Sequence, residues 1–249
     1  MQSVIANGLL AALPPAVYGR LSPHFDRVRL EAGSILYDAG DSTDYAWFIT
    51  GGVVSLLSLS EDGGSVEAAM IGRDGLIGFS GASQRKGMAF RAQVQVAGAA
   101  QRISAKALRA VIKQEIGLYE PLLDQALTLG EQIAQVAFCN QFHSTDQRLA
   151  RWLLLARDRT FYDAFTLTHV MISQILGISR SGVSSAAGLL QTKGLIRYAR
   201  GRITILNHKE LEASTCECYR IISRTINLYL PSQSSLASGD GSALDRDRS

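Results

Sequence analysis

Residues 168–186 set Thr168, His169, Ser179, Arg180, Ser181, Ser184 and Ser185 around two short apolar stretches joined through Gly177. Hydroxyls, an imidazole and a guanidinium are groups that bond phosphates and base edges. The spacing is that of a helix-turn-helix. Ser173 is small where two steeply crossing helices approach, Gly177 can take the positive φ of the turn, and Ser179 is a good N-cap for the second helix. Ile172, Leu176, Ile178 and Val183 are the apolar contacts that hold such a pair; the alternative is a plain αα-corner. Near the start of the second helix Arg180 is the one long donor, with the geometry for a bidentate guanine contact. Ser181, Ser184 and Ser185 either contact phosphate, read bases through water, or are simply solvated. Gly182 either admits a DNA backbone closely or only costs helix propensity. Downstream, Leu195–Ile205 reads as a hairpin with Arg200-Gly201-Arg202 at its tip, suited to phosphate contact. Its alternative is an exposed basic hairpin.

Other chemistries find less material. The three cysteines, Cys139, Cys216 and Cys218, are too few for a disulfide framework and one short of the four thiolates of an iron–sulfur cluster. If Cys216 and Cys218 share a helix, their side chains diverge, which makes an internal disulfide awkward. They are either buried structural thiols or part of a metal or redox switch, and no metal-ligand set and no cofactor is identified. A cupin-like metal enzyme needs clustered His and carboxylates inside a β-sandwich, yet no histidine falls between His24 and His143. A DNA-processing enzyme that docks through the helix-turn-helix needs a catalytic carboxylate cluster or nucleophile, and no convincing set is found. The chain is therefore read as a non-enzyme.

The elements that must position these groups fall into two textures. After a small leading helix broken at Pro14-Pro15, residues 28–103 alternate short apolar runs with turn clusters, among them Ala39-Gly40-Asp41, Gly51-Gly52, Glu61-Asp62-Gly63-Gly64 and Gly72-Arg73-Asp74-Gly75. This predicts a β-sandwich, jelly roll or barrel. Beyond Ser104 the pattern turns helical. Leu122, Ala126, Leu129, Ile133, Val136 and Asn140 follow a heptad-like seam, read either as the interface of a two-chain coiled coil or as packing on the chain's own sheet. Gly130 within it calls for compensation, such as a close backbone approach. Leu211, Cys218, Ile222, Ile226 and Tyr229 mark one face of an extra C-terminal helix. The expected class is α+β, with a β-roll over 1–103, connecting and dimerisation helices over 104–143, a winged helix-turn-helix with its extra helix over 144–230, and a disordered tail over 231–249.

Charge and hydropathy agree with a two-part chain. The 249 residues are 47% hydrophobic and 19% charged, enough to bury a sizeable core. Residues 144–211 hold ten Lys/Arg against four Asp/Glu, a net +6, while the remainder carries −3. Such a compact basic part is what a nucleic-acid module shows, although ordinary solvated helices also carry basic faces. No run approaches ~18 apolar residues, and the first nineteen residues lack the basic flank of a secretory signal, so a soluble, cytoplasmic protein with no membrane partner is expected.

Together these parts resemble the bacterial transcription regulators of the cyclic-AMP receptor protein and fumarate–nitrate regulator family. Gly33-x-x-Leu36-x-x-x-Gly40-Asp41, Trp47-Phe48-Ile49-x-x-Gly52-x-Val54 and Gly75-x-Ile77-Gly78 are similar to their effector-binding roll. Ile175-x-Gly177-x-Ser179-Arg180-x-x-Val183 is similar to their DNA-reading element. The resemblance implies a homodimer through the long helix, double-stranded DNA with two half-sites as target, a small-molecule effector, and RNA polymerase as a further partner. It also implies an effector pocket at Gly78, Phe79, Met88 and Ala89. There the sequence departs from the cyclic-nucleotide-binding members: Phe79 stands where they carry a ribose-binding glutamate, and Met88-Ala89 where they carry the Arg-Ser pair for the cyclic phosphate. Arg85, Lys86 and Arg91 are the nearby cations that a shifted arrangement would use. Cyclic-nucleotide binding is accordingly expected to be weak, because a buried phosphate without a cation is left desolvated and unpaired.

Overall fold

The computed structural model describes residues 5–79 and 87–227. Arg85, Lys86, Tyr229 and the tail 231–249 lie outside them. Two short helices come first. Asn7 caps α1 (Gly8–Ala11) by accepting from Leu10 N, and its amide also donates to Ile49 O and Gly75 O, both at 2.8 Å. The second helix, α2 (Pro15–Leu21), begins with proline, whose fixed φ suits that position. Leu9, Leu10, Val17 and Leu21 from this pair pack with Phe48, Leu76, Ile103, Leu108 and Leu122.

The expected β-roll is present as one six-stranded antiparallel sheet: β1 (Asp26–Leu30), β2 (Ile35–Tyr37), β3 (Tyr45–Leu59), β4 (Ser65–Ile71), β5 (Leu76–Ile77) and β6 (Arg91–Ser104). The long β6 pairs with β1, β2 and β3, and β3 also carries β4 and β5. Gly51-Gly52, read as a turn, instead lies inside β3 at a run of register shifts against β6. Gly52 has φ +83°, and a Cβ there would stand 2.4 Å from Val96 O; across from it, a Cβ on Gly98 would stand 2.1 Å from Gly51 O. Two glycines let the backbones close up, so the chain bulges and bends rather than reversing.

Ser104 ends β6 and caps α3 (Ala105–Gln114). The 24-residue α4 (Tyr119–Phe142) follows, then α5 (Thr145–Thr160), opened by a Ser144/Gln147 capping box. The rest is β7 (Ala164–Thr166), α6 (His169–Leu176), α7 (Arg180–Thr192), β8 (Ile196–Ala199), β9 (Arg202–Ile205), α8 (His208–Ala213) and α9 (Glu217–Ile226). The single extra C-terminal helix is thus two. Leu211, Cys218, Ile222 and Ile226 are buried as their spacing implied.

Of the two readings of the α4 seam, packing within the chain accounts for most positions. Leu122 is buried beneath the N-terminal helices, Leu129 and Ile133 pack against the roll, and Val136 belongs to the core of the C-terminal half. Asn140 is half-buried, and Ala126 alone of the six is exposed. A second stripe, Leu123, Leu127, Ala134, Phe138 and Phe142, is left bare. Spacing reveals that an apolar stripe exists, but only packing decides which stripe the chain's own sheet covers. Among the described residues, nothing lies within 4 Å of a Cβ built on Gly130.

A polar layer joins the two halves. Arg159, fully buried on α5, sends Nε and Nη2 to the two Asp74 carboxylate oxygens, each at 2.9 Å, and Nη2 to Met70 O at 3.1 Å. Trp152 Nε1 donates to Glu67 on β4 at 2.9 Å, and Ser55 Oγ donates to the same oxygen. Burial raises the Glu67 carboxyl above the usual carboxylate range, against the lowering effect of those hydrogen bonds and of Arg151 and Arg159. Ser65 Oγ donates to Gln174 O at 3.2 Å, which brings β4 to the helix-turn-helix.

Candidate nucleic-acid interface

Local chemistry builds the helix-turn-helix as its residues imply. Thr168 caps α6 by accepting from Met171 N at 3.2 Å. Gly177 ends that helix in the left-handed region (φ 63°, ψ 41°), and Ser173 Oγ donates to Ile178 O across the turn. Ser179 caps α7 by accepting from Gly182 N at 3.2 Å. Ile172, Leu176 and Val183 are buried between the helices, and Ile178 packs against them. Gly177 serves a second purpose: a Cβ there would come within 3.1 Å of Val66, so the turn lies directly on β4 of the roll.

On α7, Arg180, Ser181, Ser184 and Ser185 are exposed. The serines are less available than their exposure suggests. Ser184 Oγ donates to Arg180 O at 3.2 Å, Ser185 Oγ donates to Ser181 O at 3.1 Å, and Ser181 Oγ lies 2.9 Å from Ser179 Oγ. Ser184 and Ser185 can therefore offer an outside partner only an acceptor, unless they give up the bond to their own helix. A Cβ on Gly182 would meet only ordinary contacts at 3.5 Å, so packing alone does not require glycine there.

The wing is a two-residue hairpin in which Ala199 pairs with Arg202. Arg200 (φ 50°) and Gly201 (φ 73°) both take positive φ, as a type I′ turn demands. Expected as two strands, the wing sheet has three in the order β7-β9-β8, because the segment after α5 supplies an edge strand. Tyr198 anchors it: its hydroxyl donates to Leu167 O at 3.0 Å and its ring faces His169 with centroids 5.1 Å apart. Burial raises that phenol's pKa.

Between α6, the start of α7 and the wing lies an open cleft of about 660 Å³ lined by Thr168, His169, Val170, Arg180, Tyr198 and Arg200. Four of the residues singled out from sequence therefore meet on one surface, and Arg202 is exposed on the neighbouring strand. The basic excess of residues 144–211 is smaller at this surface than the count implies. Arg148, Arg151 and Arg159 are buried, Arg148 donating to Leu176 O at the end of α6 and Arg159 tied to Asp74. Arg180, Lys193, Arg197, Arg200, Arg202 and Lys209 remain on the outside. Charge counting cannot distinguish a cation that packs from one that faces solvent.

The proposed effector pocket is an unpromising place for a phosphate. Gly78 (φ +83°) is a glycine for the sake of the backbone, since a Cβ would stand 2.4 Å from Tyr45 O. Phe79 packs against the core under the N-terminal helices, Met88 packs on the roll's interior, and Ala89 is exposed. That interior is filled by Tyr37, Trp47, Ile49, Val54, Ile71 and Val94 among others. Arg91 is committed to Asp38 at 2.6 Å, a bond that holds the Asp38 carboxyl below its ordinary pKa. Phe79, Met88 and Ala89 thus offer a cyclic phosphate no charge, and Arg91 is already engaged.

Residues 147–214 match the family model of the Crp-like helix-turn-helix domain, and residues 27–115 that of the cyclic nucleotide-binding domain, together well over half of the chain. The fold is similar to FixK2 from Bradyrhizobium japonicum (TM-score 0.65, 15% identity, 77% of this chain and 98% of that one). It is also similar to a CRP-family transcriptional regulator from Thermus thermophilus (0.61, 19%, 75% and 95%). A third similar structure is the c-di-GMP-responsive global regulator CLP of Xanthomonas campestris (0.64, 14%, 78% and 100%). No curated protein sequence matches the chain.

Proposed function

From a chain that belongs to the Crp/Fnr family of transcription regulators, we propose a homodimeric, sequence-specific regulator whose Arg180 reads bases while Arg200 and Arg202 hold phosphates. DNA binding through the helix-turn-helix and control by an effector at the roll follow from the family. The observation that carries the assignment of roles is the cleft, in which Arg180 at the first turn of α7 stands beside Thr168, His169 and the wing residue Arg200. A recognition helix enters the major groove by its N-terminal residues, and a wing tip alongside reaches the backbone. The bare stripe of α4, Leu123, Leu127, Ala134 and Phe138 around the open flank of Gly130, is the surface on which a second copy would pack. Two copies so paired would meet half-sites about 34–36 Å apart. The working compartment would be the cytoplasm, with RNA polymerase as partner at a promoter. No described helix is long and apolar enough to cross a membrane.

Selection of binding sites from random duplex DNA, followed by titration of variants, tests the reading. Arg180→Ala should lose about 1–3 kcal/mol on the selected site, 5- to 150-fold, and little on random DNA. Arg200→Gly keeps the positive-φ turn and should weaken both DNAs alike, lowering the salt slope by about 0.9. Cyclic AMP and cyclic GMP at micromolar concentration should leave affinity unchanged. A loss for Arg180→Ala that is uniform across sequences would move base reading to the serines or to DNA shape.

A further inference from the structure

The cysteines left over by this function come together. Cys139, near the end of α4, His143, which caps it, and Cys216 and Cys218, at the start of α9, place their four ligand atoms within 4.8 Å of one another. No described residues form a disulfide between these thiols, and all three are buried, Cys139 and Cys218 completely. Sequence reasoning separated Cys216 from Cys218 because helical neighbours two apart diverge. Cys216, however, is the N-cap, with extended φ −87° and ψ 165°, so its side chain points back over the first turn toward that of Cys218.

We propose that Cys139, His143, Cys216 and Cys218 form a structural Cys₃His zinc site that fastens the C-terminal helix to the joint between α4 and α5. The edges suit a single tetrahedral ion. Zn–S of about 2.3 Å and Zn–N of about 2.0–2.1 Å require S···S edges of about 3.8 Å and S···N edges of about 3.6 Å. Cys139 Sγ to Cys216 Sγ is 3.5 Å, and Cys218 Sγ to His143 Nδ1 is 3.5 Å. An iron–sulfur cluster spreads its four ligands over two or more irons and so holds the set further apart.

The surroundings are those of a metal site. His143 turns Nδ1 to the cluster and Nε2 to Glu217 Oε2 at 3.2 Å, the carboxylate–histidine arrangement that orients a ligating imidazole. Gln135 Nε2 donates to Cys218 Sγ at 3.0 Å, as a second-layer amide does to a thiolate. Arg151, 3% exposed and electrostatically coupled to Cys139, has Nε and Nη1 without hydrogen-bond partners among the described residues. Three thiolates, one neutral imidazole and Zn²⁺ sum to −1, a charge that Arg151 and the neighbouring buried Arg148 would offset. Binding displaces three thiol protons to solvent and involves no electron transfer.

The full-length protein, freed of any purification tag and kept with a thiol reductant, should carry one zinc per chain by mass spectrometry. Exchange for Co²⁺ should produce the visible bands of a tetrahedral cobalt thiolate, with an intensity set by three sulfurs. Cys218→Ser should lower zinc affinity by far more than tenfold, and Glu217→Gln by about 10–100-fold. The stoichiometry and the cobalt spectrum of the unmodified chain stand even if a cysteine variant fails to fold. Protein that stays metal-free after equilibration with Zn²⁺ and reductant overturns the proposal. So does a native Cys139–Cys216 disulfide, or an octahedral cobalt spectrum.

Discussion

Asp74→Ala probes the joint between the roll and the DNA-binding half. Arg159 has no solvent exposure, and its guanidinium is shared among the two Asp74 oxygens, Met70 O and, at 3.3 Å, Leu155 O. Removing the carboxylate leaves a buried cation without its ion-pair partner, facing only main-chain carbonyls, Met70 Sδ and, at 3.5 Å, Gln132 Oε1, a change that costs about 3–5 kcal/mol. The acceptor for Gly72 N, 2.9 Å from Asp74 Oδ1, is lost as well, adding about 1 kcal/mol. The double variant Asp74→Ala/Arg159→Met takes both charges out together and should regain about 2–3 kcal/mol of that loss, because the penalty lies in the unpaired ion. Urea unfolding reads this well, since Trp47 lies in the roll and Trp152 in the other half. A loosened joint would split the two probes' transitions and lower the slope of each. Destabilisation by Asp74→Ala of under ~1 kcal/mol, or a double variant no more stable than the single one, would refute the reasoning.

Two further variants address surfaces and pH. Leu127→Asp, at a position 58% exposed, should give a folded monomer by sedimentation, whereas Ile133→Asp, packed on the roll, should unfold the chain; a Leu127→Asp dimer would mean that another face joins the copies. For Glu67 the folded-state pKa is raised, so the folded protein holds a proton that the unfolded chain releases above its ordinary pKa. Its stabilising effect is complete below that pKa and declines as pH climbs towards the folded value. Glu67→Gln should flatten this decline above the ordinary carboxylate range in urea melts at several pH values; an unchanged slope would place the titrating group elsewhere.

The DNA-reading element was legible because its constraints are local. Gly177 supplies the left-handed turn, Thr168 and Ser179 the caps, and Arg200-Gly201 the two-residue hairpin, each an interaction among near neighbours. The β-roll was legible from its glycine-punctuated runs, except at Gly51-Gly52, where the same residue type that makes turns makes a bulge once a second backbone lies against it. Other features depended on contacts between distant parts of the chain. Which stripe of α4 faces inward depended on where the roll lies, so Leu129 and Ile133 went to the sheet and Leu127 to the surface. Arg148, Arg151 and Arg159 count as basic in any sequence tally, yet packing withdraws them from the DNA face. Cys139 and Cys216 meet across 77 positions, and Cys216 and Cys218 converge because one is a cap and the other helical. Periodicity and capping are properties of a segment and can be read along the chain; burial, pairing and coordination belong to pairs of segments and exist only once the chain has folded.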